Sequence, residues 1–233
     1  MFFASPTVRK RYSEPLPEDA IDIDKALYKV YTTKGEEGLP EVFAAIQSKY
    51  MPAGKSEGDS HELLVFLCDA LPWMDKEVRF KIADAITCVS CNKVVVKEDT
   101  VVEVDLHPTK VNEPLLDVIT HAFRTETISD WKCETCHATG CTKQRMFGSF
   151  PRALMLHTLG GAIDYSSVLI MNGRKYVLGG ILCYNGSHWW TYARSEMGHP
   201  WHRLDDSRVD QLTARQFPVT NAMRALLYFL LEN

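Results

Sequence analysis

No apolar run in this 233-residue chain reaches the roughly 20 residues that a membrane-spanning helix requires. A secretory signal is not expected either. The opening MFFASPTVRKRY has only a short apolar stretch, with its basic residues after it rather than before, so a cytoplasmic or nuclear location is expected. There is no surplus of basic residues: 26 Lys and Arg face 30 Asp and Glu, for a net charge of −4. That disfavours a non-specific nucleic-acid binder, which depends on neutralising phosphates. Internal repeats and low-complexity tracts are absent. The seven cysteines do not suggest a disulfide framework, because an odd number in a chain without a signal points to metal binding or free thiols. What is present, 45% hydrophobic and 24% charged residues, suits one sizeable globular domain or two small lobes sharing a core.

Residues 1 to about 85 read as helical. PEDAIDIDKALYKVY opens with proline and acids and then spaces its apolar residues helically; LPEVFAAIQSKY follows the same style. After the loop MPAGKSEGDS, Asp59 or Ser60 can cap the helix HELLVFLCDALPWM. Beyond Ala85 the valine-rich NKVVVKEDTVVEVDLHP reads as strand, EPLLDVITHAFRTE as a short helix, and the remainder as short strands divided by Gly160-Gly161, Asn172-Gly173 and Asn185-Gly186. By composition the terminal RALLYFLL suits either helix or strand. The plan is α+β: a helical lobe followed by a mostly antiparallel sheet.

Two C-x2-C knuckles, CVSC (Cys88, Cys91) and CETC (Cys133, Cys136), lie far apart in sequence. Each turn offers two thiolates with the bite that a tetrahedral zinc prefers, and two turns close a structural site with no open position. The separation is too long for a compact ribbon, so two hairpin-like arms clamped at their tips are expected. His137 and Cys141 are redundant beside four thiolates. A zinc-stapled nucleic-acid module fits poorly, because KEDTVVEVDLHPTKVNEPLLD between the knuckles is net acidic.

His188 follows the turn-forming YNGS and opens HWWTYAR; Asp205 and Asp206 come shortly after Trp201. A histidine whose tautomer is fixed by an aspartate is the base half of a Cys-His-Asp or Ser-His-Asp site. By spacing alone an ordinary core or surface histidine is the more common outcome, and His199 and His202 are of that kind.

Taken in order, these segments resemble the ubiquitin-specific protease family of cysteine deubiquitinases. GDSHELLVFLCDAL is similar to the family's acid-bearing helix; Asp59 and Glu62 would then be ubiquitin-binding. CVSC and CETC resemble the finger cysteines, KYVLGGILCYNGSHWWTYA the histidine box, and WHRLDDSRV the box that follows. ALLYFLL resembles the last palm strand, which favours strand over helix there. The resemblance implies a papain-like cysteine protease fold over residues 1–233, with a partial helical thumb (1–85), zinc-bearing fingers (86–147) and an antiparallel β palm (148–233). It also implies His188 as general base, Asp205 as its orienting partner with Asp206 beside it, and ubiquitin or a ubiquitinated protein as the partner. The chain departs from the family by having SEG before Asp59 and S-H-W after a contracted loop.

The largest departure is the family's cysteine box. No cysteine precedes Cys68 and no asparagine precedes Asn92. Cys68 is spaced to face a helical core, where a thiol is inert, and the strand carrying Cys183 should aim it away from His188. The chain is therefore expected to be either an incomplete form of an active deubiquitinase or an inactive relative that binds ubiquitin or scaffolds a partner complex.

Overall fold

The computed structural model describes residues 6–33, 37–49, 60–159, 162–194, 198–206, 208–212 and 222–231. Five helices come first: α1 (Pro6–Ser13), α2 (Asp22–Thr32), α3 (Leu39–Lys49), α4 (Ser60–Ala70) and α5 (Pro72–Val78). Helix α4 turns Leu64, Leu67 and Cys68 inward, the three- and four-residue spacing of one helical face, and Leu71 continues the stripe. Pro72 then starts α5 where a missing N–H costs nothing. Helix α2 is bound to α1 and α5 through its buried Asp24, which accepts hydrogen bonds from Arg11 Nη2 (2.9 Å), Tyr12 Oη (2.7 Å) and Trp73 Nε1 (3.2 Å).

Strands begin at Phe80, earlier than the sequence texture suggests. β1 (Phe80–Cys88) pairs with β2 (Val94–Val101); after β3 (Glu103–Leu106), β4 (Glu113–Pro114) and α6 (Leu115–Ala122) come β5 (Thr125–Lys132) and β6 (Thr139–Phe147). The four-stranded antiparallel sheet runs β2-β1-β6-β5. The expected boundary at 85/86 therefore falls inside β1. The segment 86–147 is also not all one unit, because β3 leaves this sheet to lie parallel to β7 (Ala153–Thr158).

The chain continues through β8 (Ile163–Asp164), β9 (Val168–Met171), β10 (Arg174–Tyr184), β11 (Trp189–Ala193), β12 (His202–Asp205), β13 (Arg208–Gln211) and β14 (Met223–Leu230). The eight-stranded sheet runs β13-β12-β11-β10-β14-β7-β3, with β9 on β10; all its pairings are antiparallel except β3–β7. Its central strands are apolar on both faces. One face sets Leu154, Leu156, Leu226 and Tyr228 against α6 and the base of β1. The other sets Ala153, Met155, Leu227 and Phe229 against α4 and α5. A strand buried on both faces reads as a continuous hydrophobic run, which is why RALLYFLL carries no alternation.

Gly179 sits beneath the Phe229 ring, and any Cβ there would enter the ring's van der Waals envelope. Gly179→Ala should destabilise the fold by about 1–3 kcal/mol through overpacking. A urea titration followed by tryptophan fluorescence measures this; an unchanged midpoint would show that Phe229 moves aside freely.

Candidate functional site

The β10–β11 hairpin carries His188. Asn185 Oδ1 accepts from the backbone N–H of Ser187 (3.1 Å) and of His188 (2.9 Å), and Gly186 takes φ +103°. The Tyr184 hydroxyl donates to the Gly186 carbonyl (2.7 Å) while its ring stacks on Trp189 (4.3 Å between centroids). An amide side chain that caps its own turn is what asparagine provides here, and it fixes the backbone just before the histidine.

The register explains which side chains meet. Thr191 opposes Leu204 and Tyr192 opposes Arg203. Alternation then places Trp190 and Tyr192 of β11 on the same face as Arg203 and Asp205 of β12, with His188 at the head of that face. His188 Nε2 lies 2.5 Å from Asp205 Oδ1. The hydrogen bond to Asp205 raises the His188 pKa above the ordinary imidazole value; Asp206 adds to the rise, while Arg203 and slight burial oppose it. The same bond, helped by Arg203 and Arg208, holds Asp205 below the usual carboxylate range. An ionised carboxylate can only accept, so Nε2 carries the proton and Nδ1 is the ring atom that can receive one. His188 is 40% exposed and Asp205 19%, so the pair is reachable from solvent. Asp206 follows at φ 51°, exposed, within reach of the pair.

The signs of these shifts define a pH window. His188 is raised, so its contribution is full below the ordinary imidazole range and fades as pH climbs through the raised value. Asp205 is lowered, so its share holds above the ordinary carboxylate range and is lost as pH falls through the lowered value. Between those limits the pair is intact. Asp205→Asn should lower the His188 midpoint in an NMR titration; a midpoint that stays put would mean the two side chains do not meet in solution.

At the other candidate site β1–β2 and β5–β6 each end in a cysteine knuckle, and the two knuckles are the same turn. Asn92 N–H donates to the Cys88 carbonyl (3.1 Å) and Cys88 N–H to the Lys93 carbonyl (2.9 Å); His137 to Cys133 and Cys133 to Ala138 repeat this, both at 2.9 Å. Asn92 and His137 take the equivalent left-handed position, φ 57° and 58°. His137 is thus a turn residue, and Cys141 lies buried opposite Cys88 on β6. The Sγ atoms of Cys88 and Cys136 lie 3.7 Å apart, as do those of Cys91 and Cys133. All four sulfurs fall within 4.8 Å of one another. A tetrahedral zinc with bonds of about 2.3 Å demands edges of about 3.8 Å, so the set fits the metal. The backbone N–H groups of Cys136 and Thr135 favour the Cys133 thiolate, drawing its pKa down to about 6. For Cys136 the Ala138 N–H favours the thiolate, but the Cys91 sulfur, then burial and the other two sulfurs, push the thiol up to about 12. Four thiolates this close repel unless a cation sits among them.

The other two cysteines sit in apolar cores. Burial pushes the Cys68 thiol up to about 12. Cys183 pairs with Trp190 and so lies on the same sheet face as His188, not on the other face as the sequence suggested; it is nonetheless 1% exposed within the core packed there. Glu62 lies exposed in the first turn of α4; Asp59 lies outside the described residues. Sequence reasoning passed over Arg203, whose Nη2 donates to Asp205 Oδ2 (2.5 Å). Its two-residue spacing from Asp205 was the available signal. A second histidine–carboxylate group, His157 with Asp105 (3.0 Å) and Glu103 (3.4 Å), joins β7 to β3.

No protein-family model matches this chain, and no curated protein matches it. Solved structures do. A chain of the SAGA DUB module Ubp8/Sgf11/Sus1/Sgf73 bound to monoubiquitin superposes with TM-score 0.78 at 16% identity, over 97% of this chain and 63% of that one. The same module bound to ubiquitin aldehyde gives 0.79 at 16%, covering 99% and 65%. The yeast module with an Sgf73 mutant gives 0.80 at 15%, covering 99% and 64%. The present chain spans less than two thirds of those chains. At this identity the likeness establishes the fold, a mixed α/β architecture with antiparallel sheets. No helix among the described residues is long and apolar enough to cross a membrane.

Proposed function

We propose that this chain is a deubiquitinase-type domain with the thumb, fingers and palm of a papain-like cysteine protease. The observation that carries the reading is the His188 Nε2–Asp205 contact, set at the head of one sheet face in a fold that matches a ubiquitin-bound DUB module. In cysteine-type hydrolysis of the bond after ubiquitin's C-terminal glycine, Nδ1 of His188 takes the thiol proton and returns it to the leaving amine, while Asp205 stabilises the imidazolium. Asp206 would add negative charge beside that cation. Asp59 and Glu62 are proposed to meet ubiquitin from the thumb. Zinc held by Cys88, Cys91, Cys133 and Cys136 would clamp the fingers and take no part in the reaction. A cytoplasmic or nuclear location and scaffold partners accord with this reading.

Cys68 and Cys183 are buried, and the other five cysteines belong to the knuckles and the strand beneath them. A second reading follows: a non-catalytic module that binds ubiquitin or scaffolds a partner complex with the same surface. The test is to titrate ¹⁵N-labelled ubiquitin with the zinc-loaded chain and to assay cleavage of a fluorogenic ubiquitin conjugate. Saturable shifts on ubiquitin with no turnover are expected for the 233 residues alone. Absence of any shift at millimolar chain would sink both readings. Turnover would mean that one of the seven cysteines is a working nucleophile.

A further inference from the structure

We infer that Arg203 is a positioning residue for the His188–Asp205 pair, clamping the carboxylate so that the imidazole keeps its proton on Nε2. The inference rests on the reading of His188 as a general base. The geometry is a closed ring of contacts. His188 takes Asp205 Oδ1 at 2.5 Å and Arg203 takes Oδ2 at 2.5 Å. The Arg203 guanidinium lies over the Trp190 ring, 5.6 Å from its centroid. The Trp190 ring in turn stacks parallel to the His188 ring at 6.3 Å and 17°. A carboxylate held on one oxygen alone can swing about its terminal torsion, which is broad and nearly two-fold. A donor on each oxygen removes that freedom.

Arg203 is not placed for its own hydrogen bonding. Its Nε is buried with no hydrogen-bond partner among the described residues. An arginine set only for stability would be expected to satisfy that group; here the head is spent on the aspartate and the tryptophan face. The nearby alternative cation, Arg208, is 74% exposed and pairs with Asp210 at 2.7 Å. The charged groups acting on His188 are thus Asp205, Asp206 and Arg203, with Arg208 acting on Asp205.

Tautomer state is the readout, because it reports the hydrogen bonds of the ring itself rather than the stability of the fold. Imidazole ¹⁵N shifts of His188 should be recorded in the zinc-loaded full chain, above its titration midpoint. The native protein should show a single Nε2–H tautomer. Arg203→Met should show a mixture of the two, and Arg203→Lys, a point charge without the fork, a population in between. Should Arg203→Met fail to melt cooperatively, the lysine variant answers alone. A single Nε2–H tautomer retained in a folded Arg203→Met or Arg203→Lys chain overturns the proposal. Ubiquitin binding is measured on the native chain separately. If the tautomer depends on Arg203 but ubiquitin does not bind, the clamp stands and the deubiquitinase reading falls.

Discussion

Stripping zinc from the intact chain should release both hairpin tips and leave the eight-stranded sheet folded. Two of the four sulfur–sulfur edges between the knuckles are already 3.7 Å, and the tips are otherwise linked by the end of the β1–β6 ladder at Cys88 and Cys141 and by a long Val89 N–H to Gly140 carbonyl bond (3.4 Å). The strands nearest them are solvent-facing: β2 is largely exposed, as is β5. A four-thiolate zinc is worth roughly 10–16 kcal/mol of apparent binding energy at neutral pH. No other local interaction in the four-stranded sheet approaches this; its best polar clamp is Asp84, held by Arg145 through two bonds of 2.9 and 3.0 Å. One metal per chain is expected by elemental analysis. After chelation, hydrogen exchange should accelerate across residues 86–101 and 125–143, while β7, β10 and β14 keep their protection. Cys133→Ala should reproduce the loss without a chelator. Protein prepared with zinc present that holds no metal would remove the zinc assignment. Uniform loss of protection would show instead that the two sheets unfold as one unit.

Much of this arrangement is legible in the sequence, and what is not legible depends on pairing. The knuckles are readable because C-x2-C is local chemistry, and the hairpin before His188 because Asn-Gly is a turn signal. The start of β1 is not. Asp84 argues against a strand when seen alone, and only its cross-strand register with Arg145 on β6, with Lys143 also near, makes it welcome there. The return of β3 to the large sheet is hidden for a similar reason, since its partner β7 lies about 50 residues on. Arg203 was likewise visible as a residue but not as a participant. Its meaning appears once Tyr192 is found opposite it and Trp190 falls on the same face. The sites that sequence names well are those whose members sit in one turn. Those it misses are assembled from strands that meet only in the fold.

Asp24→Ala should be the most damaging substitution in the helical layer. Asp24 is 4% exposed and no hydrophobic contact can replace what it does. Three donors from two other helices converge on one carboxylate: Arg11 and Tyr12 of α1, and Trp73 of α5. Burial, and then the bond to Asp24, hold the Tyr12 hydroxyl firmly protonated. The same ring packs edge-on against Trp73 at 5.5 Å and lies 5.9 Å from Tyr31, so the polar clamp sits inside an aromatic cluster. Removing the acceptor takes the shared partner from a partly buried guanidinium, the buried Tyr12 hydroxyl and the half-buried Trp73 N–H together. Breaking a buried charged network from one side costs about 3–5 kcal/mol, which for a chain of this size lowers the melting temperature by roughly 10 °C. Asp24→Asn keeps an acceptor oxygen and loses the charge, so its drop should be smaller. Thermal melts followed by near-ultraviolet circular dichroism, sensitive to Tyr12 and Trp73, measure both. A change below about 1 kcal/mol in the alanine variant would mean that the three donors find water instead and that α1 is held by packing alone. The distinction bears on the site, because α4 and α5 cover one face of the sheet whose far strands carry His188 and Asp205. A helical layer that loosens without disturbing the His188 tautomer would show that the two halves are energetically separate. A layer whose loosening mixes the tautomer would show that the clamp at Asp24 supports the one at Asp205.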